Sequence, residues 1–201
     1  MKKIFLAILT VFVLNVGFSQ NWDINTLKNI NLNRNVKLDP TMKFLSQSTP
    51  EVCIAVPLSI ITYSLIKKDS SNFRKSMVIG ASLATATAIT LILKHAVNRQ
   101  RPYISYDFLD PLTTEKTASF PSAHTSNSFS LATSLSLEYP KWYVIVPSYM
   151  WASSVAYSRM HLGVHYPSDV FAGAIVGAGS AFISYKLNKL LGNRKLAQKL
   201  F

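Results

Sequence analysis

The chain has 201 residues, of which 49% are hydrophobic and 15% charged, so it is long enough for one well-cored domain yet carries far less charge than the roughly 25% usual in soluble domains. Its 21 Lys and Arg stand against 9 Asp and Glu, a formal charge of +12; an excess resting on so few positions points to an anionic ligand or to the inner face of a membrane rather than to general solvation. Cys53 stands alone within an apolar run, which excludes a disulfide framework and the cysteine-rich zinc patterns and leaves a small buried hydrophobe.

In chain order, MKKIFLAILTVFVLNVGFSQ places Lys2 and Lys3 ahead of an apolar stretch, with the small residues Gly17 and Ser19 before a cut ahead of Gln20. This is the pattern of a secretory signal peptide over residues 1–19. An uncleaved first transmembrane helix is the alternative, although the run is shorter than the roughly 20 residues that cross hydrocarbon. Residues 20–50 read as a polar, Asn-rich lead-in with scattered Leu27, Ile30, Leu32, Leu38 and Met42, holding at most one short helix and no motif. From Val52 apolar runs alternate with short polar joins, and five helices are expected: Val52–Ile66, Met77–Leu93, Ser126–Leu137, Trp142–Tyr157 and Val170–Leu187. The fold class is therefore all-α, a bundle of about five apolar helices, or six if the first segment is retained, embedded in a membrane. Its domain runs over 51–192, and 193–201 is a basic tail.

Loop charge sets an expected orientation, because short cytoplasmic loops are enriched in Lys and Arg. Lys67, Lys68, Arg74 and Lys75 lie between the first two of these helices, and Lys186, Lys189, Arg194, Lys195 and Lys199 at and beyond the end of the last. Both groups belong inside, which puts Lys94 to His124 and Ser158 to Asp169 on the outer side. The cations Lys28, Arg34, Lys37 and Lys43 of the lead-in run against this rule, although a longer exported segment can cross despite its charge.

Three polar segments gather at helix ends on that outer side. In Lys94-His-Ala-Val-Asn-Arg-Gln-Arg101-Pro102, two cations stand two helical turns apart, so both heads can face one way before Pro102 breaks the helix. Such a pair suits a phosphate, with a guanidinium fork and an ammonium point charge; snorkelling at a membrane edge is the plainer alternative. In Ser119-Phe-Pro-Ser122-Ala123-His124, Ser122 reads as a helix N-cap, and the same helix start can bind an anion within reach of His124. In Ser158-Arg159-Met-His-Leu-Gly-Val-His165-Tyr-Pro-Ser-Asp169, the carboxylate can accept from one ring nitrogen of His165 and leave the other as a free lone pair; a surface histidine beside a capping aspartate is the alternative.

Taken together, Lys-x6-Arg-Pro, Pro-Ser-x-His and Ser-Arg-x5-His-x3-Asp, in this order from Lys94 to Asp169, resemble the signature of the type 2 phosphatidic acid phosphatase (PAP2) superfamily. The resemblance implies His165 as nucleophile, Asp169 as its orienting partner and His124 as general acid. It also implies Lys94, Arg101, Ser122, Ala123 and Arg159 as phosphate ligands, with a phosphohistidine intermediate. Ala123 stands where the family usually has Gly, whose extra conformational freedom matters only if that backbone needs positive φ. His95 and His161 fall outside the motif and are expected to be structural. The implied function is a phosphatase of lipid phosphates or diphosphates in a bacterial-type inner membrane, its site facing the periplasm, with a lipid phosphate and the membrane as partners and no cofactor, metal or nucleic acid. A soluble exported acid phosphatase and, with a weaker claim, a vanadium haloperoxidase share the same motifs. No decodable substrate pattern stands in Tyr103–Phe120, which carries Asp107, Asp110, Glu115 and Lys116.

Overall fold

The computed structural model describes residues 16–192. Within them the chain is helical: α1 (Val16–Leu32), a 3-10 turn (Val36–Leu38), α2 (Asp39–Gln47), α3 (Thr49–Lys67), α4 (Ser70–Val97), the one-turn α5 (Pro102–Ser105), α6 (Ala123–Glu138), α7 (Trp142–His161) and α8 (Pro167–Gly192). The five expected helices are α3, α4, α6, α7 and α8. Each is longer than its apolar run because caps lie outside it. Asp69 accepts from the N–H groups of Ser71 and Asn72, both at 3.0 Å, to start α4, and Lys68 closes α3 in the left-handed conformation. Of the expected signal peptide, residues 1–15 lie outside the described residues, as does the basic tail from residue 193; its residues 16–19 open α1.

The lead-in holds more structure than its polarity suggested. α1 continues to Leu32, and α2 follows after the 3-10 turn. Ile24 and Leu27 pack with Leu109 and Tyr166, while Asn31 donates to the carbonyls of Asp110 (3.2 Å) and His161 (3.1 Å) and accepts from the Asp110 N–H at 3.0 Å. These anchors lie 79 and 130 residues away in sequence, so no local pattern announces them.

The Ser-rich α6 is the hub, packed against α3, α4, α7 and α8. Its serines are small enough to admit close neighbours; Ser126, Ser128 and Ser136 bond locally or across helices, while the buried Ser130 and Ser134 hydroxyls have no hydrogen-bond partner among the described residues. Thr90 of α4 donates to Ser126 Oγ at 2.9 Å, and Ser126 donates on to the Gly173 carbonyl of α8 at 3.1 Å. A Cβ at Gly173 would meet Ser122 O at 2.7 Å, and one at Gly177 would meet Ser126 O at 2.1 Å. The α6–α8 pair is thus packed backbone to backbone at these positions.

Three stretches are long and apolar enough to cross a membrane: Thr49–Lys67, Ser70–Ser105 and Pro167–Leu190. Only 22–33% of each is buried within the protein. Ile54, Leu58, Leu65, Ile66, Ile92, Phe171, Ile175, Phe182 and Leu190 face outward, an apolar surface that needs lipid to cover it. At one end of the bundle Tyr139 donates to Asn72 at 2.8 Å and Lys75 lies over the Tyr139 ring, which brings the turns around 68–75 and 138–141 together. The three motif segments meet at the opposite end.

Replacing Gly177 by Ala should cost about 1–3 kcal/mol, because the added methyl can be housed only by separating α6 from α8; thermal unfolding in detergent measures it, and an unchanged melting point would contradict this packing.

Candidate active site

The site assembles where α4, α6, α7 and α8 present one end each. α4 stops at Asn98, which takes the left-handed conformation (φ 45°), so Arg101 does not share a helix with Lys94 as the two-turn spacing suggested. Pro102 breaks nothing here; it occupies the first turn of the short α5. The two cationic heads nevertheless converge. Lys94 donates to the Ala118 carbonyl, and Arg101 donates to Thr117 O at 2.8 Å and to Ala118 O at 3.4 Å. Both are almost wholly buried, which for unneutralised cations is costly unless an anion or several carbonyls face them.

α6 begins just beyond Ser122, whose Oγ accepts from the Thr125 N–H at 3.5 Å and from the Thr125 hydroxyl at 3.0 Å. Ser122 N–H donates to the Asp169 carbonyl at 3.0 Å, locking the start of α6 to the start of α8. Among the described residues the non-glycine positions with positive φ are Lys68 and Asn98. Ala123 therefore needs none of glycine's freedom, and the turn forms with alanine in place.

At the end of α7, Arg159 is 1% exposed. It pairs with Glu115 and donates to Ser46, while its Nε, also buried, has no hydrogen-bond partner. A guanidinium in that condition is a ready donor for a further oxyanion.

His165 lies in the α7–α8 loop and is fully enclosed. Its Nδ1 faces Asp169 Oδ2 at 3.4 Å, and its Nε2 lies 3.2 Å from an Arg101 Nη. Asp169 fixes the ring's tautomer: a carboxylate beside Nδ1 favours hydrogen there and leaves the Nε2 lone pair directed at the cations. Burial pushes the His165 imidazole down to about 3, with Asp169 pulling against it, so the ring is neutral and able to give up a lone pair at physiological pH. Burial likewise lowers His124, in the first turn of α6, to about 4, reinforced by Arg159 and opposed by Glu115.

Three residues that sequence reasoning did not place complete the cluster. Arg99 binds Asp169 Oδ1 at 2.7 Å, Asp23 Oδ2 at 2.9 Å and Ser168 Oγ at 2.7 Å, and its guanidinium stacks on the Tyr166 ring 3.8 Å from the centroid. Ser119 donates to Asp169 Oδ2, which also accepts from the Tyr166 N–H at 3.0 Å. For Glu115, burial alone would raise its carboxyl pKa; Arg159 overrides that and holds it below the ordinary carboxylate range. The scarcity of acids was the available signal, since each of the nine invited a partner. His95 and His161 lie apart, bonding Leu91 O and Asp39 Oδ1 at 2.8 and 2.7 Å.

Anion binding should raise the pKa of His124. Burial and the neighbouring Arg159, Arg101 and Lys94 hold it down, and an oxyanion neutralises those cations while leaving the burial. Histidine NMR titration with and without inorganic phosphate measures this; a value that stays put or falls would contradict the placement of His124 beside the anion.

Comparison with known proteins bears on this assembly. The model of the PAP2 superfamily matches residues 75–192. An undecaprenyl-diphosphatase of Sulfolobus acidocaldarius is 30% identical, covering 96% of this chain and 92% of its own. A lipid A 4'-phosphatase of Bacteroides thetaiotaomicron is 30% identical over 71% of this chain and 67% of its own. The crystal structure of a transmembrane PAP2-type phosphatidylglycerolphosphate phosphatase from Bacillus subtilis shares the fold, with a TM-score of 0.73 at 23% identity over 94% of this chain and 96% of that one. With those three segments brought to one end of an apolar helical bundle, the chain is a membrane protein and belongs to the PAP2 superfamily.

Proposed function

We propose that the chain hydrolyses a lipid phosphate or diphosphate through a phosphohistidine on His165. The observation that carries the mechanism is the His165 ring itself: neutral, oriented by Asp169 through Nδ1, with Nε2 3.2 Å from the Arg101 guanidinium. An anionic phosphoryl group drawn to that guanidinium stands in reach of the lone pair. Nε2 forms the new bond to phosphorus as the bond to the leaving oxygen breaks, and Lys94, Arg101 and Arg159 take up the charge on the non-bridging oxygens. His124, with the α6 start and Ser122 behind it, supplies a proton to the departing oxygen. Water then attacks the phosphohistidine, His124 accepts its proton, and the P–N bond breaks to release inorganic phosphate and restore neutral His165. The three cations perform the neutralisation that Mg²⁺ performs in other phosphoryl-transfer enzymes, so the reaction runs without metal.

The lipid choice over a soluble ester follows from the outward apolar faces of α3, α4 and α8. A substrate sharing the bilayer gains about 0.8 kcal/mol for each methylene it keeps out of water. The relatives named for undecaprenyl diphosphate and lipid A support the same class. Loop charge supports a site on the periplasmic side of an inner membrane, with the leader removed on export.

His165→Ala should abolish phosphate release from a lipid phosphate without unfolding the protein. Asp169→Asn should lower it by several orders of magnitude, as loss of the orienting carboxylate does in comparable triads, roughly 10⁴-fold in one such case. Retained turnover in His165→Ala would sink the nucleophile assignment. EDTA should leave the wild-type rate unchanged; loss on chelation with recovery on Mg²⁺ would place the chemistry elsewhere.

Orientation is tested with single cysteines in a Cys53→Ser background. Thr114 and Ser71 are both exposed, at opposite ends of the bundle. An impermeant thiol reagent added to cells with a permeable outer layer should label a cysteine at 114 and spare one at 71; equal labelling would contradict the orientation.

A further inference from the structure

Beside the cations of the site lies an open pocket of about 60 Å³. Its lining includes Lys43 and Gln47 of α2, Thr113 and Glu115 of the loop before α6, and His124 and Arg159 of the site itself. In-line displacement fixes what this space is for. The nucleophile approaches phosphorus from the His165 side, so the leaving oxygen points away from it, toward the group that protonates it. His124 is in the wall of the pocket, and the atoms joined to the leaving oxygen therefore enter it.

The chemistry of the wall is polar, and its charge is unbalanced. Most of the arginines and the buried lysine at this end are engaged: Arg34 with Asp39 and Asp110, Arg99 with Asp23 and Asp169, Arg159 with Glu115, Arg101 with the Thr117 and Val164 carbonyls, and Lys94 with the Ala118 carbonyl. Lys43, half-buried, makes no ion pair or hydrogen bond among the described residues. Glu115 is spent on Arg159, which leaves Lys43 as the lining cation without a carboxylate partner among the described residues.

We propose that Lys43 and Gln47 form a subsite for a second phosphate, the one that remains on the lipid when the terminal phosphate of a lipid diphosphate is cleaved. The proposal rests on the phosphatase reading and narrows its substrate class. A monoester continues from the leaving oxygen into carbon and offers an ammonium nothing to bind. A diphosphate continues into a charged phosphorus group, whose oxygens can accept from the Lys43 ammonium and the Gln47 amide. The same assignment gives two of the four lead-in cations a role: Arg34 is consumed in the ion network, and Lys43 lines the pocket.

The test compares farnesyl diphosphate with farnesyl monophosphate, which differ by that one phosphate, using the full-length protein in detergent. Wild type should favour the diphosphate in kcat/KM. Lys43→Met should lower the diphosphate-to-monophosphate ratio by about tenfold to a hundredfold, the worth of one charge-assisted hydrogen bond, and Lys43→Arg should restore most of it. An unchanged ratio in Lys43→Met, or a wild type that prefers the monophosphate, would overturn the subsite. Wild-type protein releasing phosphate from neither compound would instead overturn the phosphatase reading, and the subsite with it.

Discussion

The carboxylate of Asp169 is the point on which the functional end of the molecule depends. One oxygen accepts from Ser119, the Tyr166 N–H and His165; the other accepts from Arg99. The donors come from three parts of the chain, Arg99, Ser119 and the His165–Tyr166 pair, and Arg99 extends the chain of contacts to Asp23 of α1. A buried carboxylate with four donors is stable only when all are present, since each missing donor leaves part of a desolvated charge unanswered. His165 is thereby oriented by a network, and the helices carrying its members are held in register by the same contacts.

Charge balance at this end follows from that arrangement. Among the nine acids, Asp23, Asp39, Asp110, Glu115 and Asp169 all serve the cations clustered here. They neutralise Arg34, Arg99 and one face of Arg159, but Lys94 and Arg101 meet only carbonyls, a hydroxyl and an imidazole among the described residues. The protein thus satisfies its structural cations with carboxylates and leaves the cations nearest His165 to weaker dipoles. On the proposed function, a phosphoryl group would displace such dipoles and compete with Glu115 for Arg159.

Much of this was legible in the sequence for identifiable reasons. The five apolar helices announced themselves because lipid and core demand long hydrophobic runs, and the motif residues stood at helix ends at short, fixed spacings. His165 and Asp169, four residues apart, meet as that spacing implies. Ser122 and Arg159 lie in the same cluster for the same local reason. The lines that sequence could not reveal are long-range. Arg99 lies between two motif cations, yet its partners sit 70 and 76 residues away. Asn31, Asp23 and Ser46 belong to a stretch whose polarity read as a passive leader. The helical geometry of Lys94 and Arg101 was read too simply, because one asparagine in the left-handed conformation ended α4 a turn early.

The contribution of the first fifty residues alters where the working unit begins. The region shared with the superfamily model starts at residue 75, whereas Asp23 and Ser46, which hold Arg99 and Arg159, lie well before it. Recombinant material trimmed to the shared region would keep all eight signature residues and still expose Arg99 and Arg159 to the loss of their partners. Sequence similarity therefore marks where the chemistry is written. The span that must be inherited intact for that chemistry to operate reaches back to α1.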